Sequence, residues 1–244
     1  MMTTLVLGAS GATGMQVVEQ LIHKGVHVKV LVRMPEKLPA AWKNLNDRLT
    51  IIKAGVSEIT EEELATYVDG CEAIISCLGH NLTFRGIYGK PRLLVKNAVQ
   101  LAYHAVKKLN PQSPVRFVLM NTAGILNQDI DESISLAQKI LTALLRIFLP
   151  PYLDNEKAAA FLRNKKGDVS IEWVIVRPDT LINEDKVTNY QIYASPTRSA
   201  VFNPGQTSRI NIAHFIASLI TDQQTWHKWK KQMPVVYNET AVNE

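Results

Sequence analysis

The chain is short of several things, and each shortage removes a class of protein. Two cysteines in 244 residues, Cys71 and Cys77, are too few for a disulfide scaffold or a zinc cage. Of the six histidines, His23, His27, His104, His214 and His227 share no ligand spacing with acidic partners, so no metal is expected. No apolar run approaches the roughly 20 residues of a bilayer span. The most apolar stretch, Ile140 to Leu149, is interrupted by Arg146 and stops at Pro150-Pro151. No basic segment precedes Leu5-Val6-Leu7, so no secretory leader is expected and a cytoplasmic, membrane-free protein is. A concentrated basic stripe is missing as well. The 27 Lys and Arg against 22 Asp and Glu leave a net charge of +5, but the densest clusters, Lys165-Lys166 and Lys228-Trp229-Lys230-Lys231, are short. Nucleic acid is therefore not an expected partner, whereas a small anionic ligand is.

What is present is an ordinary core-forming composition, 46% hydrophobic and 20% charged, in a length that α/β folds accommodate as one domain. Thr4 to Leu7 predicts a strand; a glycine-rich turn follows, then a helix from about Thr13 in which Val17, Val18, Leu21 and Ile22 fall at helical spacing. Gly25 predicts its C-terminal cap, and Val26 to Val32 a second strand. Leu49 to Lys53 and Ala73 to Cys77 predict further strands, separated by a helix over Thr60 to Val68 with a Thr60/Glu63 capping box. Pro91 to Leu109 predicts a helix, Val115 to Met120 a strand, then a long helical stretch, then a strand over Ile171 to Val176. Strands alternating with helices predict a single Rossmann-like, doubly wound parallel sheet spanning residues 1–244. The irregular segment at about residues 185–208 is expected to be a small C-terminal substrate lid roofing the cofactor crevice. Helical spacing resumes over Ile210 to Ile220. The helix from Ile134 to Phe148 is too broadly apolar for one buried face, which predicts either deep burial or a subunit contact; monomer and homodimer both stay open.

Gly8-Ala9-Ser10-Gly11-Ala12-Thr13-Gly14 lies between the first strand and the first helix. That context makes it a dinucleotide fingerprint: Gly8 for a tight turn, Gly11 for close approach of backbone to pyrophosphate, Gly14 for close helix packing. The helix N-terminus then offers amides and positive dipole to phosphate. An NAD site wants an acid at the end of the second strand, to accept from the ribose 2′-OH. Here Arg33 ends that strand, a residue suited to a 2′-phosphate, with Ser10 able to add a hydroxyl. NADP(H) is expected rather than NAD(H).

Taken with Ala54-Gly55-Val56 and Gly70-Cys71-Glu72-Ala73-Ile74-Ile75-Ser76, these features resemble the atypical short-chain dehydrogenase/reductases. Phe161-Leu162-Arg163, the run Ile171-Glu172-Trp173-Val174-Ile175-Val176-Arg177-Pro178 and Thr207-Ser208-Arg209-Ile210 are similar to the NmrA-like group that includes flavin reductases of the biliverdin reductase B type. The resemblance implies cofactor contacts at Gly8, Ser10, Gly11, Ala12, Thr13, Gly14, Arg33, Gly55, Val56, Cys77, Leu78, Gly79, Asn121, Thr122, Lys157 and Pro178. The wider superfamily places a Ser after the fifth strand and a Tyr-x-x-x-Lys on the next helix. Thr122 and Lys157 match two of those positions, but Leu153 stands where Tyr belongs, and Tyr152 is about 100° away around the helix. Tyr103-x-x-x-Lys107 has the right spelling but precedes the fifth strand, so a structural role is expected. Thr122, Lys157 and His80, which follows the fourth strand with Asn81 beside it, are the catalytic candidates. Cys77 is expected to act as a small buried hydrophobe.

Transfer of hydride to flavin, biliverdin or quinone needs little beyond holding the nicotinamide against a conjugated acceptor. Loss of the Tyr therefore leaves an NADPH-dependent reductase of a small conjugated substrate as the leading expectation. It argues against alcohol or ketone interconversion. The alternative is a non-catalytic NADP(H)-sensing regulatory protein.

Overall fold

The computed structural model describes residues 2–45, 47–80, 83–132 and 135–239. Strand β1 (Thr3–Leu7) is buried along nearly all its length, as its continuous apolar run requires of a strand covered on both faces. Helix α1 (Ala12–His23) turns Val17, Val18, Leu21 and Ile22 inward and ends at Lys24, with Gly25 at φ +77° just beyond. Next come β2 (His27–Val32), β3 (Leu49–Lys53) and α2 (Glu61–Val68). The capping box of α2 is closed in both directions: Glu63 N donates to Thr60 Oγ1 at 3.2 Å and Thr60 N to Glu63 Oε2 at 2.8 Å. After β4 (Ala73–Ser76) and the short α3 (Phe84–Tyr88), α4 (Leu94–Leu109) leads to β5 (Val115–Met120). Helices α5 (Leu136–Phe148) and α6 (Pro150–Arg163) precede β6 (Ile171–Pro178); then follow β7 (Thr180–Ile182), β8 (Tyr190–Tyr193), β9 (Gln206–Ser208), α7 (Arg209–Thr221), α8 (Gln223–Trp229) and β10 (Val235–Asn238).

The main sheet has the order β3-β2-β1-β4-β5-β6-β10-β8, parallel throughout except for β8, which runs antiparallel to β10. Val6, Val17, Val18, Leu21, Phe215 and Ile216 fill the core on one face, where α1 packs on α7. Leu5, Leu7, Leu64, Val99, Ala102 and Trp173 fill the other, where α2, α4 and α6 pack in succession. This is the doubly wound α/β architecture that the alternation of elements predicts. Strand order reverses between β1 and β4, which opens a crevice at the C-terminal ends of those strands.

Three departures from expectation have local causes. The long helical stretch before β6 is two helices, because Pro150 and Pro151 take the first positions of α6, where a missing N–H is harmless and where α5 cannot continue. Strands β8 and β10 are four residues each, too short for an alternation pattern to announce them. Helix α5 is not buried deep in the core. Its buried residues are the polar Gln138 and Thr142, while Leu136, Ile140, Leu144, Ile147 and Phe148 are exposed. Ile134, with which the expected apolar helix begins, lies outside the described residues. No helix among the described residues is long and apolar enough to cross a membrane.

Candidate functional site

A cleft of about 620 Å³ opens where β1, β2 and β4 end. Its floor is shaped by backbone sterics. Gly8 has φ +79°, and a Cβ there would stand 2.7 Å from the carbonyl carbon and oxygen of Cys77. A Cβ on Gly14 would lie 2.1 Å from the oxygen of Gly8, so α1 can pack this tightly against its own loop only with glycine at that position. Gly11 donates its amide to the oxygen of Gly8 at 3.0 Å and forms the N-cap of α1, which has no side-chain cap. The first-turn amides, which have no intrahelical acceptor, therefore retain their capacity to donate to an anion at the positive end of the helix.

The walls carry charge of one sign. Arg33, Lys37 and Lys90 line the cleft, and no Asp or Glu is among the described residues that do. Lys37 closes the turn of 3₁₀ helix Pro35–Lys37 directly after β2, on the Arg33 side. Lys90 comes from the segment between α3 and α4. Neither lysine is signalled by the fingerprint; the four-residue spacing from Arg33 across Pro35 could have pointed to Lys37, but nothing local points to Lys90.

Of the residues expected at the cofactor, Gly8, Ser10, Gly11, Arg33, Val56, Cys77, Leu78 and Gly79 line the cleft, and His80 joins them. Ala12, Thr13 and Gly14 form the first turn of α1 behind the loop. Gly55 sits in a turn facing the Glu58 carboxylate, and Pro178 closes β6, its oxygen accepting from Ala123 N at 2.8 Å. The Cys77 thiol is buried, and burial pushes its pKa up to about 12, so it contributes a small apolar contact.

His80 has acquired a partner that no spacing rule predicts. Its Nε2 lies 2.8 Å from Oδ2 of Asp154, and its Nδ1 lies 3.2 Å from the carbonyl oxygen of Gly86. Asp154, fully buried on α6, also accepts the amides of Val95 at 2.8 Å and Lys96 at 2.9 Å, which caps the start of α4. Oxygens that only accept face both ring nitrogens, an arrangement that commits the ring to the protein. His80 thus joins the cleft wall to α4 and α6. Asn81 lies outside the described residues.

Beyond β5, Asn121 donates Nδ2 to Asn155 O at 3.0 Å and accepts from Thr122 N at 2.9 Å; Thr122 Oγ1 accepts from Gly124 N at 3.3 Å. Because α6 begins at Pro150, Tyr152 lies in its first turn and faces inward, its hydroxyl donating to Gly124 O at 2.8 Å. Burial, aided by the Glu156 charge, holds the Tyr152 hydroxyl above its usual pKa. The structure therefore brings Tyr152 and Thr122 to the same turn and leaves Lys157 exposed on α6, outside the cleft lining. Among the described residues no ammonium is paired with that tyrosine to lower its pKa. Tyr103 and Lys107 are held together by Asp168, at 2.6 and 3.4 Å, on α4.

A second cavity of about 380 Å³ lies between Ala123, the inner side of α5 at Ser135 and Gln138, and the segment from Ser195 to Ala200. Under it Arg177, fully buried, donates Nε to Met233 O at 2.7 Å, Nη1 to Ile125 O at 2.9 Å and Nη2 to Glu132 Oε1 at 2.7 Å. The segment expected to roof the cofactor crevice contributes walls to this cavity and none to the cleft. Pairing of β8 with β10, at the far edge of the sheet from β1, carries it there.

A family model described as NAD(P)H-binding matches residues 8–223. An uncharacterized chloroplastic protein of Arabidopsis thaliana is 28% identical over 202 residues, which cover 83% of this chain and 64% of that protein; the chain spans just under two thirds of that relative's length. A short-chain dehydrogenase/reductase from Veillonella parvula in complex with NADP is similar in structure, with a TM-score of 0.71 at 16% identity over 100% of this chain and 97% of that one. A candidate NADH-flavin reductase from Streptococcus pneumoniae gives a TM-score of 0.66 at 20% identity, covering 98% and 100% of the two chains. An anaerobillin reductase from Escherichia coli gives 0.68 at 14% identity, covering 99% and 100%. At these identities the structural likenesses carry the fold.

Proposed function

The chain belongs to the NAD(P)H-binding family, and from that premise we propose that it is an NADPH-dependent reductase that passes hydride to a small conjugated acceptor of flavin, biliverdin or quinone type. The observation that carries the cofactor choice is the wall of Arg33, Lys37 and Lys90 without a carboxylate. A guanidinium at the end of β2 suits a 2′-phosphate, and an adenosine ribose with a free 2′-OH finds no acid there to accept from it. The names of two structural neighbours, a candidate NADH-flavin reductase and an anaerobillin reductase, support the acceptor class.

Bound reduced nicotinamide supplies the hydride. The chain's own residues bind and orient: Gly8 and Gly11 let the backbone approach the pyrophosphate, and the start of α1 neutralises it. Arg33 and Lys37 hold the adenosine end, and Leu78 and Gly79 at the end of β4 bound the opposite side. The acceptor enters from the second cavity, over which the segment at about residues 185–208 acts as a lid. Its proton comes from solvent, because the Tyr152 hydroxyl and both His80 nitrogens already face protein acceptors.

That same commitment of the nearby proton donors favours the second reading, a non-catalytic NADP(H) sensor. Mixing the protein with NADPH and FMN, riboflavin, biliverdin or a quinone, and following loss of the reduced-cofactor absorbance, separates the two. Turnover with at least one acceptor is expected. Tight NADPH binding without turnover across that panel overturns the reductase reading; a large difference in affinity between NADPH and NADP⁺ would then support the sensor.

A further inference from the structure

Helix α5 is amphipathic in the inverted sense. Its inward side carries Gln138 and Thr142, while its outward side carries Leu136, 74% exposed, Ile147, 72% exposed, and the exposed Ile140, Leu144 and Phe148. The apolar surface continues onto α3. Phe84 is 81% exposed and packs against Tyr88 with the rings tilted and their centroids 5.0 Å apart, and the Tyr88 hydroxyl donates to Phe148 O at 3.0 Å. Together these seven exposed apolar side chains form a cluster on one face, the arrangement that marks an interaction surface, unlike apolar residues scattered singly over an ordinary monomer.

We propose that this face is the interface of a homodimer, with α5 packed antiparallel against α5 of a second copy. Leu136, Ile140, Ala143 and Ile147 follow one another at spacings of four, three and four, the seam of a coiled coil. Under a twofold axis that seam is self-complementary: Leu136 of one copy meets Ile147 of the other, and bulky Ile140 sits over small Ala143. The flanking charge permits the pairing. Arg146 donates Nε to both carboxylate oxygens of Glu156, at 3.0 and 2.9 Å, so it is neutralised within its own subunit. Lys139, the other cation of α5, has no ion-pair partner among the described residues, and one such charge on the helix is too little to hold an anionic lipid surface. A second copy therefore fits the face better than a membrane does.

The pairing has a consequence for the second cavity. Ser135 and Gln138 line that cavity from the opposite side of the same helix, so a partner that fixes α5 also fixes one wall of the space assigned to the acceptor.

Sedimentation velocity tests the proposal on the intact chain. A species of twice 27.3 kDa is expected at tens of micromolar, and Ile140→Asp should weaken dimerisation about 100-fold while leaving the thermal melt and NADPH affinity of the monomer unchanged. The register has its own check, which does not depend on Asp being tolerated. A mixture of Ile140→Cys and Ala143→Cys proteins should form an intermolecular disulfide faster than either protein alone, and Val169→Cys, on an exposed residue elsewhere, should form none. A wild-type monomer at those concentrations, a dimer indifferent to Ile140→Asp, equal cross-linking by every cysteine variant, or recruitment of monomer to phosphatidylcholine/phosphatidylglycerol vesicles would each overturn it.

Discussion

At the ends of β1 and β4 the rim of the sheet is formed by main chain: Gly8 and Gly14 bring loop, helix and neighbouring strand closer than any side chain permits, and Gly11 sits tightly over the oxygen of Gly8. At the ends of β5, β6 and β10 the rim is formed by side chains, with the Arg177 guanidinium tying β6 to the turn after β5 and to Glu132. The two regions differ in what they tolerate. A backbone cradle binds what all dinucleotides share and cannot vary without losing it, whereas a side-chain scaffold can change its lining and so its substrate.

That contrast predicts which substitutions are most damaging, and where. Arg177→Met should be the most damaging, because it leaves Glu132 buried without its cation. A loss of about 3–5 kcal/mol in urea denaturation is expected, and a loss below about 1 kcal/mol would mean that the side-chain half of the rim is held by something else. Gly14→Ala comes next. The added methyl must displace Gly8 or α1, which should cost about 3 kcal/mol and most of the NADPH affinity, while Gly167→Ala, where a Cβ meets nothing within 4 Å, should stay within about 0.5 kcal/mol of the parent. Equal effects of the two would erase the distinction between cradle and scaffold. Lys37→Ala should cost about 1 kcal/mol, roughly fivefold, in NADPH affinity and nothing in NADH affinity, the outcome expected of a charge at the proposed 2′-phosphate site. The smallest effect is at Asp168. Burial works against its charge, but donation from Tyr103 and from the Ser170 amide wins and holds its pKa down to about 2. A carboxylate depressed in the folded state adds stability above its ordinary pKa and loses it as pH falls through the lowered one. Asp168→Asn should therefore lower stability near neutrality and flatten the acid limb of the stability curve between about pH 4 and 2, the two proteins converging at the acid end.

How far each region is legible in the sequence follows from the same physics. The Gly8 to Gly14 loop, the capping box of α2 and Gly25 are local devices, enforced by residues within a few positions of one another, and all can be identified without coordinates. Arg33 is legible for the same reason, as the residue directly after a strand that follows a fixed count after the glycines. The pairing of His80 with Asp154, 74 positions away, is set by the packing of α4 against α6 and leaves no mark on spacing. The segment at about residues 185–208 lines the second cavity and not the cofactor cleft, because the pairing of β8 with β10, which no local spacing announces, decides where it lies. The outward apolar face of α5 has the composition of a core helix, and only the polar Gln138 and Thr142 on its inner side show which way it turns.

The central claim is that Arg33, with Lys37, reads the 2′-phosphate of a dinucleotide seated on the glycine loop. Calorimetric titration of the wild-type chain and of Arg33→Asp with NADPH and with NADH tests it most directly. The wild type should bind NADPH at least tenfold more tightly than NADH, and Arg33→Asp should abolish or reverse that ratio. Equal affinity of the wild type for the two, a ratio that survives Arg33→Asp, or no heat with either nucleotide would contradict it.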